Sequence, residues 1–251
     1  MAQRVQSLDR ALDLVEALAG AEELGVSELA AQTGLVPSTA HRLLGTLVAR
    51  GYAAQNPVTG RYLLGYKLLE LTSGLQDRMA RLRTAARPHL EAIQVQTGET
   101  TNLCVLEGRN VVYVDSVSGT RSVRLFTDIG HAIPAHTSGA GKALLAWRDP
   151  EDVEALLSGT ELTASTPRTL TSLPALQEDL AKIRRRGYST DNEEHELGVG
   201  CVATPILDRT GSPLAAISVS GPTGRILHAD TADTAGLLRE HAEQVAATLV
   251  S

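Results

Sequence analysis

The segment from Glu28 to Tyr52 constrains the fold of this chain more than any other stretch. It reads ELAAQTGLVPSTAHRLLGTLVARGY, and Gly34 and Pro37 divide it. Glycine takes a positive φ readily and so ends a helix with a sharp turn. Proline suits the first position of a helix, because its missing N–H would have no partner there. The segment therefore predicts two short helices joined by a tight turn, the second running from Pro37 to about Arg50.

Further elements flank this pair of helices. Val5 to Ala19 has apolar residues at spacings of three and four, which predicts an amphipathic helix. Ser27 is expected to cap the short helix that follows it. Two strand-like segments, YAAQ and RYLL, enclose the turn-forming residues NPVTG at 56–60. Residues 1–66 are therefore expected to form a winged helix-turn-helix domain.

The second helix of the pair has a polar outer face near its start. Its apolar residues can pack against Leu29 and Ala30, which leaves the early polar side chains pointing outward. Early residues of such a helix reach base edges when it enters the major groove, and arginine pairs well with guanine. The same helical hairpin also occurs in proteins that never bind DNA, so that alternative stays open. The candidate DNA-binding residues are Ser38, Thr39, His41, Arg42 as the best candidate for reading guanine, and Arg61 at the hairpin edge for phosphate or the minor groove.

Composition limits the class of protein. The chain has 251 residues, which suits two modest domains. Its formal net charge of -6 argues against a surface coated in positive charge for non-specific nucleic-acid binding. The two cysteines are too few for a disulfide framework and fit a reducing cytoplasm. We find neither a signal peptide nor an apolar run of about 20 residues, so no membrane partner is expected.

The rest of the chain predicts a connector and a mixed domain. Lys67–Gly74 and Leu75–Gln96 are expected to be two helices, with Pro88 bending or dividing the longer one. From about Thr100, strand-like and helix-like segments are mixed, which predicts an α+β fold. The expected division is a linker helix over 67–80 and a second domain over 81–251. The strand candidates are TNLCVLEG, NVVYVDSV, GCVATPIL and PLAAISVSG, and the helix candidates are Gly141–Trp147, Pro150–Leu157, Leu173–Arg186 and Thr231–Leu249.

Both halves of the chain resemble one family. The runs VQSLDRALDLVEAL, LAAQTGLVPSTAHRLLGTLVARGY and GRYLLGYKLLEL resemble the IclR family of bacterial transcription regulators. IPAHTSGAGKALLA, RRRGYSTDNEEHELGVGCVATPI and AAISVSGP follow in that family's order. The resemblance implies a winged helix-turn-helix, a linking helix and a GAF-like effector-binding domain. It also implies homodimers or homotetramers on palindromic operator DNA, and small organic acids or aromatic compounds as effectors.

The resemblance also implies an effector pocket. Gly139 and Gly141 would allow close backbone approach at the start of a helix. Ser218 and Ser220 are two apart on a predicted strand and so share a face. Taken singly, these features have simpler explanations, such as serines facing solvent or a buried apolar Cys201. The implied effector residues are Ser138, Gly139, Ala140, Asp191, Cys201, Ser218 and Ser220, with apolar lining expected from Leu125, Ile129 and Val199.

Enzyme chemistry is not favoured by the residues. SGAGKA departs from a phosphate-binding loop, because His136 stands at its first glycine and Ala143 at its final Ser/Thr. A cysteine hydrolase would need Cys104 or Cys201 beside a histidine base, and no known spacing matches. His136, His195 and Cys201 lack the close ligand pairs of structural zinc. We expect no enzyme, no cofactor and no metal-binding residues, and whether a metal occupies the effector domain stays open.

The sequence is therefore interpreted as a ligand-responsive, cytoplasmic DNA-binding regulator. A small-molecule sensor acting on a protein partner, with the helix-turn-helix as a dimerisation unit, is the alternative, and an enzyme comes third. Repressor against activator, dimer against tetramer, the effector and the operator all stay open.

Overall fold

A computed structural model describes residues 5–159, 161–227 and 231–250. The chain divides into two compact units, and the division falls between Arg78 and Met79. The predicted class, an N-terminal helix-turn-helix followed by an α+β domain, is confirmed. Within the described residues, no helix combines the length and the apolar character needed to cross a bilayer.

The first unit is a three-helix core with a β-hairpin. Leu14, Leu29 and Leu44 are fully buried and join its three helices in one cluster. The hairpin strands pair antiparallel, with Ala54 opposite Leu63. The predicted helix-turn-helix and hairpin are thus both present. The elements are α1 (Gln6–Ala19), α2 (Val26–Gln32), α3 (Pro37–Ala49), β1 (Ala53–Gln55) and β2 (Tyr62–Leu64).

The start of α2 differs from the prediction. Ser27 lies inside the helix, and the N-cap position is taken by Gly25. The Glu28 carboxylate accepts a hydrogen bond from the Gly25 backbone N–H at 2.6 Å, which satisfies that donor from within the helix. The turn after α2 follows the prediction, because Gly34 has φ +65° and α3 begins at Pro37.

The connector is a single helix, α4 (Lys67–Thr97), and not the two helices that were predicted. A lone glycine such as Gly74 costs a helix only about 1 kcal/mol. Pro88 removes one helical hydrogen bond without dividing the helix. Leu90 and Ile93, in its second half, are fully buried, and this packing outweighs the local cost. The boundaries 1–66, 67–80 and 81–251 stay a prediction.

The second unit is built on an antiparallel sheet in the order β5-β4-β3-β8-β7-β6. The short strands β5 and β6 and the short helix α8 were not predicted. After α4, the elements are β3 (Thr100–Glu107), β4 (Asn110–Val117), β5 (Ala132–Pro134), α5 (Gly139–Ala146), α6 (Pro150–Leu157), α7 (Leu173–Arg186), β6 (Ser189–Asn192), β7 (Val199–Leu207), β8 (Pro213–Pro222), α8 (Thr223–Ile226) and α9 (Thr231–Val250).

The two faces of this sheet carry different cores. Successive residues of a strand point to opposite faces. Leu103 packs in a cluster with residues of α4 and α9, whereas the next residue, Cys104, packs in a cluster with Ala140 and Leu144 of α5. Cys201 belongs to the α5 cluster too. Residues of β3, β7 and β8 that point toward α5 therefore meet on one face.

Candidate functional site

The outer face of α3 carries the polar residues that the sequence singled out. Ala40 and Leu44 are fully buried in the core of the first unit. Ser38, His41 and Arg42 are exposed, and Thr39 is half-buried at the edge of the same face. The face therefore presents a hydroxyl, an imidazole and a guanidinium to solvent near a helix N-terminus. That such a face reads DNA stays a prediction for each residue.

The hairpin residue Arg61 is held within its own unit. Its guanidinium Nη2 pairs with Glu28 Oε2 at 2.6 Å and donates to the Glu23 backbone carbonyl at 3.2 Å. Glu23 in turn accepts from the side chains of Asn56 and Thr59 at the hairpin tip. These hydrogen bonds, first that of Asn56, lower the pKa of Glu23. The contacts fix the hairpin, and the DNA contact predicted for Arg61 stays a prediction.

A cavity of about 40 Å³ lies in the second unit, and we call it the sheet cavity. It opens between the α5 face of the sheet, the start of α5 and the segment that follows β6. Its volume holds only a few water molecules. Its lining residues are Tyr113, Leu125, Ile133, Ser138, Ala140, Asp191, His195, Glu196, Val199, Cys201, Ser218 and Ser220.

The structure brings six of the seven implied effector residues together in this lining. Gly139 is the exception, because it lies directly behind the wall. A Cβ at this position would come within 2.9 Å of Cys201 Sγ, so the glycine permits the close approach of α5 to β7. Leu125 and Val199 line the sheet cavity as expected, whereas Ile129 is outside the lining and 57% exposed.

Four lining residues were missed: Tyr113, Ile133, His195 and Glu196. The signal for Tyr113 was its strand pairing, because it stands opposite Cys104 on the neighbouring strand. His195 and Glu196 lie in an irregular segment that no periodicity describes. His195 was weighed only as a base or a metal ligand, not as part of an effector pocket.

A buried asparagine holds the paired serines. Asn102 is fully buried and stands opposite Ser218 in the β3–β8 register. Its Nδ2 lies 3.3 Å from Ser218 Oγ and 3.5 Å from Ser220 Oγ. The Ser116 hydroxyl contacts its carbonyl oxygen at 3.0 Å. Both serines thus lie side by side on the wall of the sheet cavity. Asn102 of β3 orients their hydroxyl groups.

The segment carrying Asp191 is anchored by a buried ion pair. Lys142 Nζ contacts Glu194 Oε1 and Oε2 at 2.6 and 2.7 Å and Asp179 Oδ2 at 3.0 Å. The Glu194 backbone N–H donates to Asp191 Oδ1 at 2.7 Å. Burial raises the pKa of Asp191 to about 7, although this hydrogen bond and Lys142 act in the opposite direction. Asp191 is therefore a carboxyl that gains and loses its proton near neutral pH.

The two thiols are buried, and two histidines of the second unit lie within hydrogen-bond distance of neighbouring groups. Burial raises the pKa of Cys201 to about 12 and raises that of Cys104 as well, so both stay thiols. His195 Nδ1 lies 3.2 Å from Thr137 Oγ1, and His136 Nε2 lies 3.2 Å from the Thr163 carbonyl. Among the residues that the structure covers, no group of three His, Cys, Asp or Glu side chains could hold a metal ion.

Two family profiles match the chain. Residues 7–57 match the profile described as the IclR helix-turn-helix domain. Residues 77–247 match the bacterial transcriptional regulator IclR C-terminal profile. Together they cover both units.

Individual relatives agree. The HTH-type transcriptional regulator XynR of Escherichia coli is 37% identical over 246 residues, 98% of this chain and 96% of its own. The transcriptional repressor IclR of the same organism is 42% identical over 227 residues, 89% of this chain and 82% of its own. An IclR homolog from Microbacterium hydrocarbonoxydans, solved in complex with 4-hydroxybenzoate, has a TM-score of 0.78 at 30% identity and covers 97% of this chain and 99% of its own.

Proposed function

Since the chain belongs to the IclR family of DNA-binding transcriptional regulators, we propose that it reads a palindromic operator through α3 and that a small organic effector in the sheet cavity controls this binding. The single observation that carries the proposal is the outer face of α3, where Ser38, His41 and Arg42 are exposed around a buried Ala40 and Leu44. A regulator of this kind acts in the cytoplasm, where the bacterial chromosome lies.

The effector proposed is an organic acid or an aromatic compound. The complex of a similar structure with 4-hydroxybenzoate supports this class. Hydroxyl donors at Ser218 and Ser220, beside the apolar Leu125 and Val199, suit a small ligand with one polar end. The present volume of about 40 Å³ is far below the roughly 300 Å³ of ordinary ligand pockets, so binding requires the sheet cavity to widen.

The test is a mobility-shift titration on the promoter upstream of the chain's own gene, with random DNA of equal length as competitor. We expect a shift that selects the promoter and weakens steeply with salt, because phosphate contacts release counterions. A protein-directed sensor would give no such slope. Equal affinity for promoter and random DNA would remove the operator proposal.

Arg42 gives the sharper test. If it reads a guanine, Arg42→Ala costs about 1–3 kcal/mol of specific binding and lowers the ratio of specific to random affinity. Arg42→Lys keeps the charge but loses the bidentate geometry, so it should not restore that ratio. Arg50→Ala, at the other end of α3, is the matched control. Full restoration by lysine would make Arg42 a phosphate contact.

A further inference from the structure

The lining of the sheet cavity has an unusual charge balance for a site that takes an organic acid. Its side chains with an ionisable proton are Asp191, Glu196, His195, Tyr113 and Cys201. Among the described residues that line it, none is a lysine or an arginine. Burial lowers the pKa of His195 and raises that of Tyr113, so neither carries charge near neutral pH. An ionised ligand would therefore meet carboxyl groups and no resident cation.

The ammonium that acts on Asp191, that of Lys142, already has its own carboxylate partners. Lys142 is 1% exposed, and its Nζ contacts two oxygens of Glu194 and one of Asp179. An ammonium has three N–H donors, so these contacts account for all of them. Lys142 thus offsets one of the two carboxylate charges behind the wall, and it acts on Asp191 only through its electrostatic field.

The Asp191 carboxyl faces the sheet cavity on one side and the segment that holds Glu194 on the other. It is 3% exposed on β6, and one of its oxygens already accepts the Glu194 N–H. The ionisable groups around it are Glu194 and His195 from its own segment, Lys142 from α5, Cys201 from β7 and Tyr113 from β4. Of these, the Glu194 carboxylate disfavours a second negative charge and Lys142 favours it, while burial disfavours it most.

We propose that the sheet cavity takes up an organic carboxylate together with one proton, which the effector and Asp191 share. Where Asp191 is ionised in the free protein, the proton comes from solvent and the site gains no net charge on binding; no covalent bond forms or breaks. Two carboxylates in a buried site cannot both stay ionised at close range, and one shared proton resolves the repulsion. The proposal rests on the proposed function, because it assumes that the sheet cavity is the effector site.

The shared proton makes the affinity for a carboxylate fall as the pH rises above the pKa of Asp191. Below about pH 6, Asp191 already holds its proton in the free protein, so binding takes up none and the affinity is flat. Above about pH 8, each site takes up close to one proton, and Kd rises about tenfold per pH unit. A site without proton uptake would show no slope over the same range.

The experiment is isothermal titration calorimetry on the full chain between pH 5.5 and 8.5. The probes are a series of monocarboxylates from acetate to benzoate and 4-hydroxybenzoate, together with 4-hydroxybenzamide as a neutral counterpart. At pH 8.5, two buffers of different ionisation enthalpy give the number of protons taken up. We expect close to one proton for each carboxylate that binds and none for the amide.

Variants show which residue holds the proton that is taken up on binding. Asp191→Asn should abolish proton uptake and make the affinity independent of pH. Asp115→Asn is the matched control, because Asp115 is an equally buried aspartate on β4 that pairs with Arg87 outside the sheet cavity. His195→Gln should keep the uptake, and its loss there would assign the proton to the imidazole and overturn the role of Asp191.

The outcomes separate the two proposals. A carboxylate that binds the wild-type chain at pH 8.5 without proton uptake overturns the shared proton and leaves the effector site intact. Binding of the amide alone does the same. Failure of every carboxylate and of the amide to bind at any pH overturns the carboxylate class and the shared proton together. The wild-type proton count decides the question even if Asp191→Asn does not fold.

Discussion

The burial of Asp191 has a cost for the folded chain that depends on pH. Its pKa rises from 3.8 to about 7 on folding, so between these values the folded state binds more protons than the unfolded state. The contribution of Asp191 to the free energy of unfolding therefore falls as the pH rises from about 4 to 7. Removal of the charge in Asp191→Asn should raise the free energy of unfolding at pH 8 by up to about 4 kcal/mol relative to wild type, and by little at pH 4.

Urea unfolding at pH 4 and pH 8 measures this difference. Asp115→Asn serves as control, because its pairing with Arg87 makes the loss of charge unfavourable. An equal effect of Asp191→Asn at both pH values would mean that Asp191 does not titrate in this range.

Residues of the site were predictable where strand periodicity alone decides. Ser218 and Ser220 are two apart on a strand and share a face, as expected. Asn102 was not predictable, because its approach to these serines depends on β3 lying beside β8. Sequence spacing does not give strand order. The ion pairs of Lys142 were not predictable either, because its carboxylate partners are 37 and 52 positions away in the chain.

At the scale of elements, the join between β5 and α5 depends on Gly141. A Cβ on this residue would overlap the backbone of Ala135, which no side-chain rotation relieves. Gly141→Ala should therefore destabilise the chain by roughly 1–3 kcal/mol or more, as overpacked sites do. The start of α5, which carries Ser138 and Ala140, would shift, and carboxylate binding would weaken.

A second helical glycine of the same unit provides the control. Gly236 lies in α9, and a Cβ added there would meet no atom of a neighbouring residue within 4 Å. Gly236→Ala should therefore stabilise the chain by roughly 0.5–1 kcal/mol. The Tm of Gly141→Ala should thus fall below that of the wild type, and the Tm of Gly236→Ala should rise above it. Equal shifts would show that α5 can move away from Ala135 at no cost.

The elements that sequence reasoning missed share a physical cause. β6 reads STDN, a polar run without β-branched alternation, and it becomes a strand because β7 offers its edge. α4 was predicted as two helices separated at Gly74, because glycine has a low helix propensity. The burial of Leu90 and Ile93 stabilises a single helix instead. Tertiary contacts overrode local preference in both places. In the long periodic helices and the alternating strands, local preference and tertiary contacts agree.

At the scale of the molecule, each unit has its own core. The first unit holds one apolar cluster, and the three clusters of the second lie wholly beyond Arg78 among the described residues. Residues 79–251 should therefore fold as a fragment and bind a carboxylate with the affinity of the full chain free of DNA. Calorimetry on the fragment and the full chain measures this. A fragment that unfolds without a cooperative transition would contradict the division.

Control of DNA binding by the effector then has a measurable counterpart. If the effector changes operator affinity by some factor, the operator must change effector affinity by the same factor, typically about 5–150-fold. Titration of the full chain with a carboxylate, in the presence and absence of saturating operator, gives this factor directly. The fragment 79–251 should show no response to operator, because it lacks α3. An effector affinity of the full chain that the operator leaves unchanged would mean that the sheet cavity and α3 are not linked, whatever each binds alone.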